Sequence, residues 1–365
     1  MAEFIPGLEL AAFYYDEAVK PILLAHYPRL VHSAGLIGSG SEVLGFDTAM
    51  SADHNWGPRV VIYLSDEDHV RLAEALRERL AYELPFTFRG YATHFDEAPD
   101  DPGTVLLGVA KSRPINHCVE ITTLGRFIRR YIGIELEQET VSVMDWLTIP
   151  EQRLRTIKAG AVFHDGLNVL EPMRRQLAYY PHDVWLYLLS AQWGRIGQEE
   201  AFVGRAGIVG DEVGSAVIAA RLVRDLMRLC LLMEKQYAPY PKWFGSAFAQ
   251  LSCAPRLTPI FERVLRAKTW PEREKNLTIA YELVATMHNE LQITESVVTQ
   301  VSPFHNRPFM VIQGGAIASR IWDAIEDEQV KALPHGVGKV DQYVDSTDVL
   351  SNTERFRKLS ALYAV

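Results

Sequence analysis

Cysteine is scarce in this 365-residue chain: Cys118, Cys230 and Cys253 lie far apart in apolar surroundings. They make no CxxC pair and have no zinc-ligand spacing, which excludes a disulfide-stapled fold, so they read as buried reduced thiols. No run approaches the roughly 20 apolar residues that a membrane span needs. The opening MAEFIPGLEL places an acid where a secretion signal carries a basic region, and it has no continuous apolar stretch. The chain is therefore expected in the cytoplasm, away from membranes. A basic surplus is missing too: 37 Lys and Arg face 46 Asp and Glu, for a formal net charge of -9. That balance would repel a nucleic-acid backbone and argues against general nucleic-acid binding. Gly and Pro are too few for a fibrous or disordered chain.

What is present is the material for a large core, with 48% hydrophobic residues. At roughly 100 to 200 residues per domain the length predicts two packed units. The periodicity changes along the chain. An amphipathic helix is expected over 8–28, with Leu10, Phe13, Tyr14, Ala18 and Ile22 near helical spacing and a kink at Pro21. A short strand Ala34–Ile37 runs into Gly38-Ser39-Gly40-Ser41, and the β-branched run from Arg59 to Leu64 predicts a buried strand. Ser65 and the acids after it predict a capped helix over 67–82. Alternation predicts strands over 86–95 and 116–123. Beyond Leu124 the β signals fade except around 160–164. Helical patterns then cover 167–178, 183–194, 198–204, 211–236, 243–251, 256–267, 271–290 and 309–330. No internal repeat marks a solenoid. The reading is an α/β part over 1–150 and a mostly helical part over 151–365.

The stretch richest in chemistry is GSGSEVLGFD from Gly38, followed by SADHNWGPR from Ser51. A strand that ends in Gly-Ser and enters a short helix leaves backbone N–H groups free for a phosphate, and small residues let the backbone come close. Polar and acidic residues just before the next strand can place carboxylates beside that turn, where a dication would bridge protein and phosphate oxygens.

This pattern resembles the nucleotidyltransferase superfamily related to DNA polymerase β, in which a strand, Gly-Ser and about a dozen residues lead to an acid-x-acid pair and a later third acid. GSGSEVLGFDTAMSADHNWGPRV, YYPHDVWLYLLSAQWGRIGQEEAFVGR and YAPYPKWFGSAFAQL are more closely similar to a bacterial family named only as domain of unknown function 4037. That likeness covers most of the chain from about 30 to 350. The resemblance implies an α+β fold: an N-terminal nucleotidyltransferase-like mixed sheet with flanking helices, then a mostly helical C-terminal domain. It further implies Mg²⁺ or Mn²⁺ and a nucleoside triphosphate as substrate, with nucleoside monophosphate passed to the hydroxyl or amine of an unidentified small molecule or protein. By position, Gly38, Ser39 and Ser41 fall at the phosphate cradle, Asp53 at the first metal carboxylate and Asn55 where the second would lie. Glu120 is the candidate third acid, as metal ligand or base. Asn55 departs from the pattern because an amide oxygen brings no charge, although Asp47 could compensate. The alternative is a degenerate relative that binds a nucleotide without turnover.

Each residue also has a plainer reading. Gly38 and Gly40 suit any turn, and Asp53 suits a cap. Glu120 faces either solvent across the sheet or the site, and His54 and Trp56 read as packing residues. Arg221, Arg224 and Arg228 share one helix face; they would meet structural acids or grip a ligand phosphate. Lys242, in the Tyr237–Gly245 aromatic and proline turn, is a candidate triphosphate contact. Asp183 to Arg195 reads as cap and packing. His288 and His305 lack the His-x-x-x-His spacing of a helical metal site.

Overall fold

Ser65 precedes three acids and caps the helix Asp66–Glu83 by accepting the Asp68 N–H. That helix follows the strand Arg59–Tyr63 and leads toward the strand Cys118–Thr122, and these two strands run parallel. Parallel neighbours need such a crossover. In the computed structural model, which describes residues 4–52, 54–101, 103–136 and 141–363, the central sheet has four strands. We number them β1 (Ser33–Leu36), β2 (Arg59–Tyr63), β3 (Cys118–Thr122) and β4 (Ala161–Asp165). The spatial order is β3-β2-β1-β4, with β1 antiparallel to β2 and β4 and β2 parallel to β3. The sheet is mixed and has helices around it, so the expected α+β class is what the chain adopts.

Strand alternation sorts this sheet into two faces. Ala34, Val60, Ile62, Val119 and Ile121 enter one core together with Leu10, Tyr14, Leu76 and Leu80. Arg59, Val61, Tyr63, Cys118 and Glu120 belong to the other face, over which the helix Leu124–Ile132 sets Phe127 edge-on to Tyr63 at 5.6 Å. The N-terminal helix is interrupted as Pro21 predicts. Proline has no N–H and crowds the carbonyl four residues back, and the chain responds with a π turn over Tyr15–Val19, where the Lys20 N–H reaches Tyr15 O.

Contact grouping divides the chain into a unit of Met1–Thr140 with Arg153–Ala178, and a second of Val141–Gln152 with Tyr179–Val365. The first holds the sheet; β4 comes from its later segment. The second is mostly helical. In it the helix His182–Glu199 packs on Glu212–Met233 and on Gly314–Asp323. The latter contact is close: a Cβ at Gly197 would stand 2.4 Å from the Gly315 backbone N. Among the described residues no helix is long and apolar enough to cross a membrane.

Three local expectations fail. The alternation over 86–95 is broken at Arg89 and Gly90, both at positive φ, so it forms a tight hairpin of two-residue strands followed by a separate strand, His94–Glu97, paired with Val105–Gly108. The helix expected over 309–330 begins only at Gly314. Met310 and Val311 pair with Ser302 and Pro303, and left-handed Gln313 separates the strand from the helix. No short helix follows Gly-Ser: the Ser41 carbonyl accepts from both Leu44 and Phe46, closing one turn that ends at left-handed Gly45.

Candidate functional site

β1 ends in a turn whose glycines are there for conformational reasons. Gly38 has φ +110 and Gly40 φ +151, in backbone that side chains rarely adopt. A Cβ on Gly40 would also lie 2.5 Å from a Glu42 carboxylate oxygen. Ser39 is exposed and Ser41 half-buried. Among the described residues the N–H groups of Ser39, Gly40 and Ser41 meet no acceptor. Three consecutive free donors at a solvent-facing turn are open to an acceptor from outside the fold, and no helix follows to back them with its dipole.

Beneath the turn lies an ion pair to which sequence reasoning gave no role. Glu42 is only 2% exposed, and it accepts from Arg59 Nη2, which also reaches the Ser39 carbonyl at 3.1 Å. The pair ties the turn to the first residue of β2. Antiparallel pairing had already placed the start of β2 beside the end of β1, and the parallel partner β3 starts at the same end. Gly35, Val61 and Glu120 form one row across β1, β2 and β3, so Glu120 lies about 10 Å from β1 across the sheet. Glu120 is on the face covered by Phe127, the same face as Arg59. Its carboxylate is 37% exposed and pairs with Arg130. The buried Tyr63 phenol is pushed well above its ordinary value, by burial first and then by the Glu120 charge. Burial likewise lifts the Cys118 thiol to about 11 against the pull of Arg59.

The other candidates of this segment are fixed differently. Asp53 lies outside the described residues. Asn55 has φ +49, which asparagine tolerates. Its N–H donates to Val105 O at 2.8 Å, and its Oδ1 accepts from Val105 N at 3.1 Å. Thus the amide oxygen that a metal would use already holds the neighbouring strand. Asp47 Oδ2 accepts from Gly7 N at 2.7 Å and Trp56 Nε1 at 2.9 Å, anchoring the N-terminal helix to the loop. Trp56 is buried between Phe4 and Tyr91, and His54 is exposed. Among the described residues no three His, Cys, Asp or Glu side chains stand together to hold a metal.

Arg224 and Lys242 belong to the helical unit. Arg224 Nη1 reaches both oxygens of Asp345, at 2.8 and 2.9 Å. Lys242 is exposed on the turn Pro241–Trp243, 4.9 Å from the Trp243 ring centroid. Trp185 and Trp193 are buried, and Trp185 Nε1 donates to Leu232 O. His288 is buried, and desolvation lowers it to about 4. A second polar cluster here is fully enclosed. Lys339, 0% exposed, donates to Ile149 O and Tyr180 Oη and pairs with Asp341. Glu151 accepts from Tyr180 and from the Ala238 N–H, while Asp341 accepts from the Glu151 N–H. Burial raises the Glu151 carboxyl, Lys339 draws it back and Asp341 raises it further.

Much of this cluster falls in one segment that is recognisable by sequence. Residues 146–244 match the model of a domain of unknown function, DUF4037. The match bears out the family resemblance over that segment, and the DUF4037 stretch carries Glu151, Tyr180, Arg195, Arg224, Asp225 and Lys242. No match was found among curated proteins. Among solved structures, a nucleotidyltransferase-like protein from Exiguobacterium sibiricum 255-15 is similar at 11% identity, covering 87% of this chain and 92% of that one, with a TM-score of 0.32. At that score no residue role passes from it to this chain.

Proposed function

We propose that the sheet-bearing unit is a nucleotidyltransferase-type module. In this reading it binds a nucleoside triphosphate with its phosphates on the Ser39–Ser41 turn. It then passes nucleoside monophosphate to a hydroxyl or amine acceptor, with release of pyrophosphate. The observation that carries the reading is the row of free N–H groups on Ser39, Gly40 and Ser41, held open by two positive-φ glycines. Glu120, on β3 at the same end of the sheet, supports it as the carboxylate facing the reacting phosphate or the acceptor proton. The described residues do not by themselves fit a protein-held dication. The reading therefore assigns Mg²⁺ or Mn²⁺ to the incoming triphosphate as part of the substrate, with Asp53 and Glu120 as the carboxylates that would meet it, and routes no step through it. Catalysis would rest on positioning and charge compensation.

The test is calorimetry of the full chain with each nucleoside triphosphate, with and without Mg²⁺, followed by pyrophosphate release in the presence of mixed hydroxyl and amine acceptors. The reading expects metal-enhanced binding that Glu120→Ala weakens, together with pyrophosphate release. Tight binding with no release from any acceptor would leave only the binding half of the reading.

A second reading, a nucleotide-binding protein without turnover, is favoured by the commitment of Asn55 Oδ1 to Val105. Asn55→Asp keeps that acceptor and adds the missing charge. Metal-dependent binding or activity that appears only in the variant would favour this second reading and sink catalysis by the natural chain.

A further inference from the structure

The three arginines that share a face of the Glu212–Met233 helix meet different fates. Arg221 pairs with Glu199. Arg224 pairs with Asp345, its Nη2 is 3.8 Å from Asp225 Oδ1, and its buried Nε meets no partner among the described residues. Arg228 is half-buried and, among the described residues, has neither a carboxylate within ion-pair distance nor a hydrogen-bond acceptor. The Phe244 ring lies beside it, with the guanidinium carbon 5.5 Å from the centroid. A guanidinium offers five donors, and none of those of Arg228 is among the buried unpartnered atoms, so they are open to solvent and available to an anion.

Of the carboxylates near this group Asp345 is the exposed one, whereas Asp225 is buried, as is Glu151, on which the Arg228 charge also acts. Asp345 sits between the helical turns Val340–Tyr343 and Thr347–Leu350, and its side chain is 70% exposed. The charges of Arg224, Arg228 and Arg195 all act on it; although burial opposes them, they hold its carboxyl below the usual range. Arg195 itself is held by Asp225 Oδ2 at 2.9 Å and the Gln342 carbonyl. A fixed arginine, two under-used ones and an exposed carboxylate thus share one place.

We propose that Arg224 and Arg228 form a binding site for a phosphate-bearing ligand in the helical unit, and that the Asp345 carboxylate occupies this site until the ligand displaces it. Phosphate offers more acceptor oxygens and more charge than a carboxylate, so it can engage Arg228 as well as Arg224. The aromatic face of Phe244 beside Arg228 limits how far that side chain can turn away. The site does not rest on the transferase reading, because all of its residues lie in the helical unit.

The experiment titrates the full chain with tripolyphosphate at fixed ionic strength, for the natural sequence, Asp345→Asn, Arg228→Gln and Glu295→Gln. Glu295 is exposed elsewhere in the same unit and controls for the change in net charge. Removing the resident carboxylate should tighten binding by about tenfold, and losing one charge-assisted partner should weaken it by a similar factor. Arg228→Gln breaks no ion pair and should melt close to the natural chain, so weaker binding reports the site rather than misfolding; Arg228→Lys should restore part of it. The tightening produced by Asp345→Asn should persist at the same size in a Glu120→Ala background, which separates this site from the turn on the sheet. ATP bound more tightly than tripolyphosphate would identify a nucleotide as the source of the phosphate, and equal affinity would identify the phosphate chain alone. Equal affinities for Asp345→Asn and Glu295→Gln, or for Arg228→Gln and the natural chain, would overturn the proposal.

Discussion

The enclosed cluster around Lys339 and the turn at the end of β1 are both rich in polar groups, but they use them in opposite ways. In the cluster the three charged side chains are answered from within: Lys339 by Ile149, Tyr180 and Asp341, and Glu151 by Tyr180 and Ala238. At the turn the charged pair Glu42–Arg59 is likewise satisfied, but the backbone above it presents three donors that nothing in the described fold accepts. A buried charge satisfied internally holds segments together. A solvent-facing polar group left open is available to a ligand. That contrast assigns structure to the first region and is the ground on which recognition is proposed for the second and for Arg228 in the helical unit.

The comparison breaks most readily at Lys339. Lys339→Met leaves Glu151 and Asp341 buried without their cation and should cost about 3–5 kcal/mol in a denaturant melt. A loss under about 1 kcal/mol would mean that the cluster is not the tie described. Next is Glu200 in the same unit, whose carboxyl burial lifts to about 7 against bonds from the Ile312, Gln313 and Gly314 amides. The folded chain then keeps a proton that the unfolded chain releases from 4.5 upward. Its contribution is full below 4.5 and is lost as the pH rises to about 7, by at most about 3 kcal/mol. Melts across that window should show the decline, and Glu200→Gln should flatten it. Glu42→Ala leaves Arg59 without its carboxylate and should cost roughly 2 kcal/mol while weakening triphosphate binding. If stability falls but binding does not, the turn is not the cradle. The smallest effect belongs to Asn55→Asp, which retains the Val105 bond and should change stability by less than about 1 kcal/mol.

How much was legible in the sequence depended on how far apart the partners lie in the chain. Ser65 and its acidic turn announce the Asp66–Glu83 helix because the cap and its target are three residues apart. The β-branched run announces β2 because burial on both faces selects it. The row Gly35–Val61–Glu120 puts Glu120 on the sheet face that Phe127 covers, which only the strand register decides. Local chemistry misled at Gly38–Ser41, where a helix was expected, because the double use of the Ser41 carbonyl depends on where Gly45 turns. Arg224 and Arg228 shared a face by spacing alone, but the spacing gave no hint that Asp345, 121 residues later, would pair with one of them. The roles of Asn55 and Asp47 were hidden for the same reason: Val105 and Gly7 are distant in sequence and come to them only in the fold.

The central claim, that the Ser39–Ser41 turn and Glu120 receive a nucleoside triphosphate, is tested most directly by calorimetric titration of the full chain with ATP, GTP, CTP and UTP in the presence and absence of Mg²⁺, beside Glu120→Ala. The account predicts saturable binding of at least one triphosphate, stronger with Mg²⁺ and weakened at least tenfold by the substitution. No binding of any triphosphate under either condition, or binding indifferent to Glu120, would contradict it.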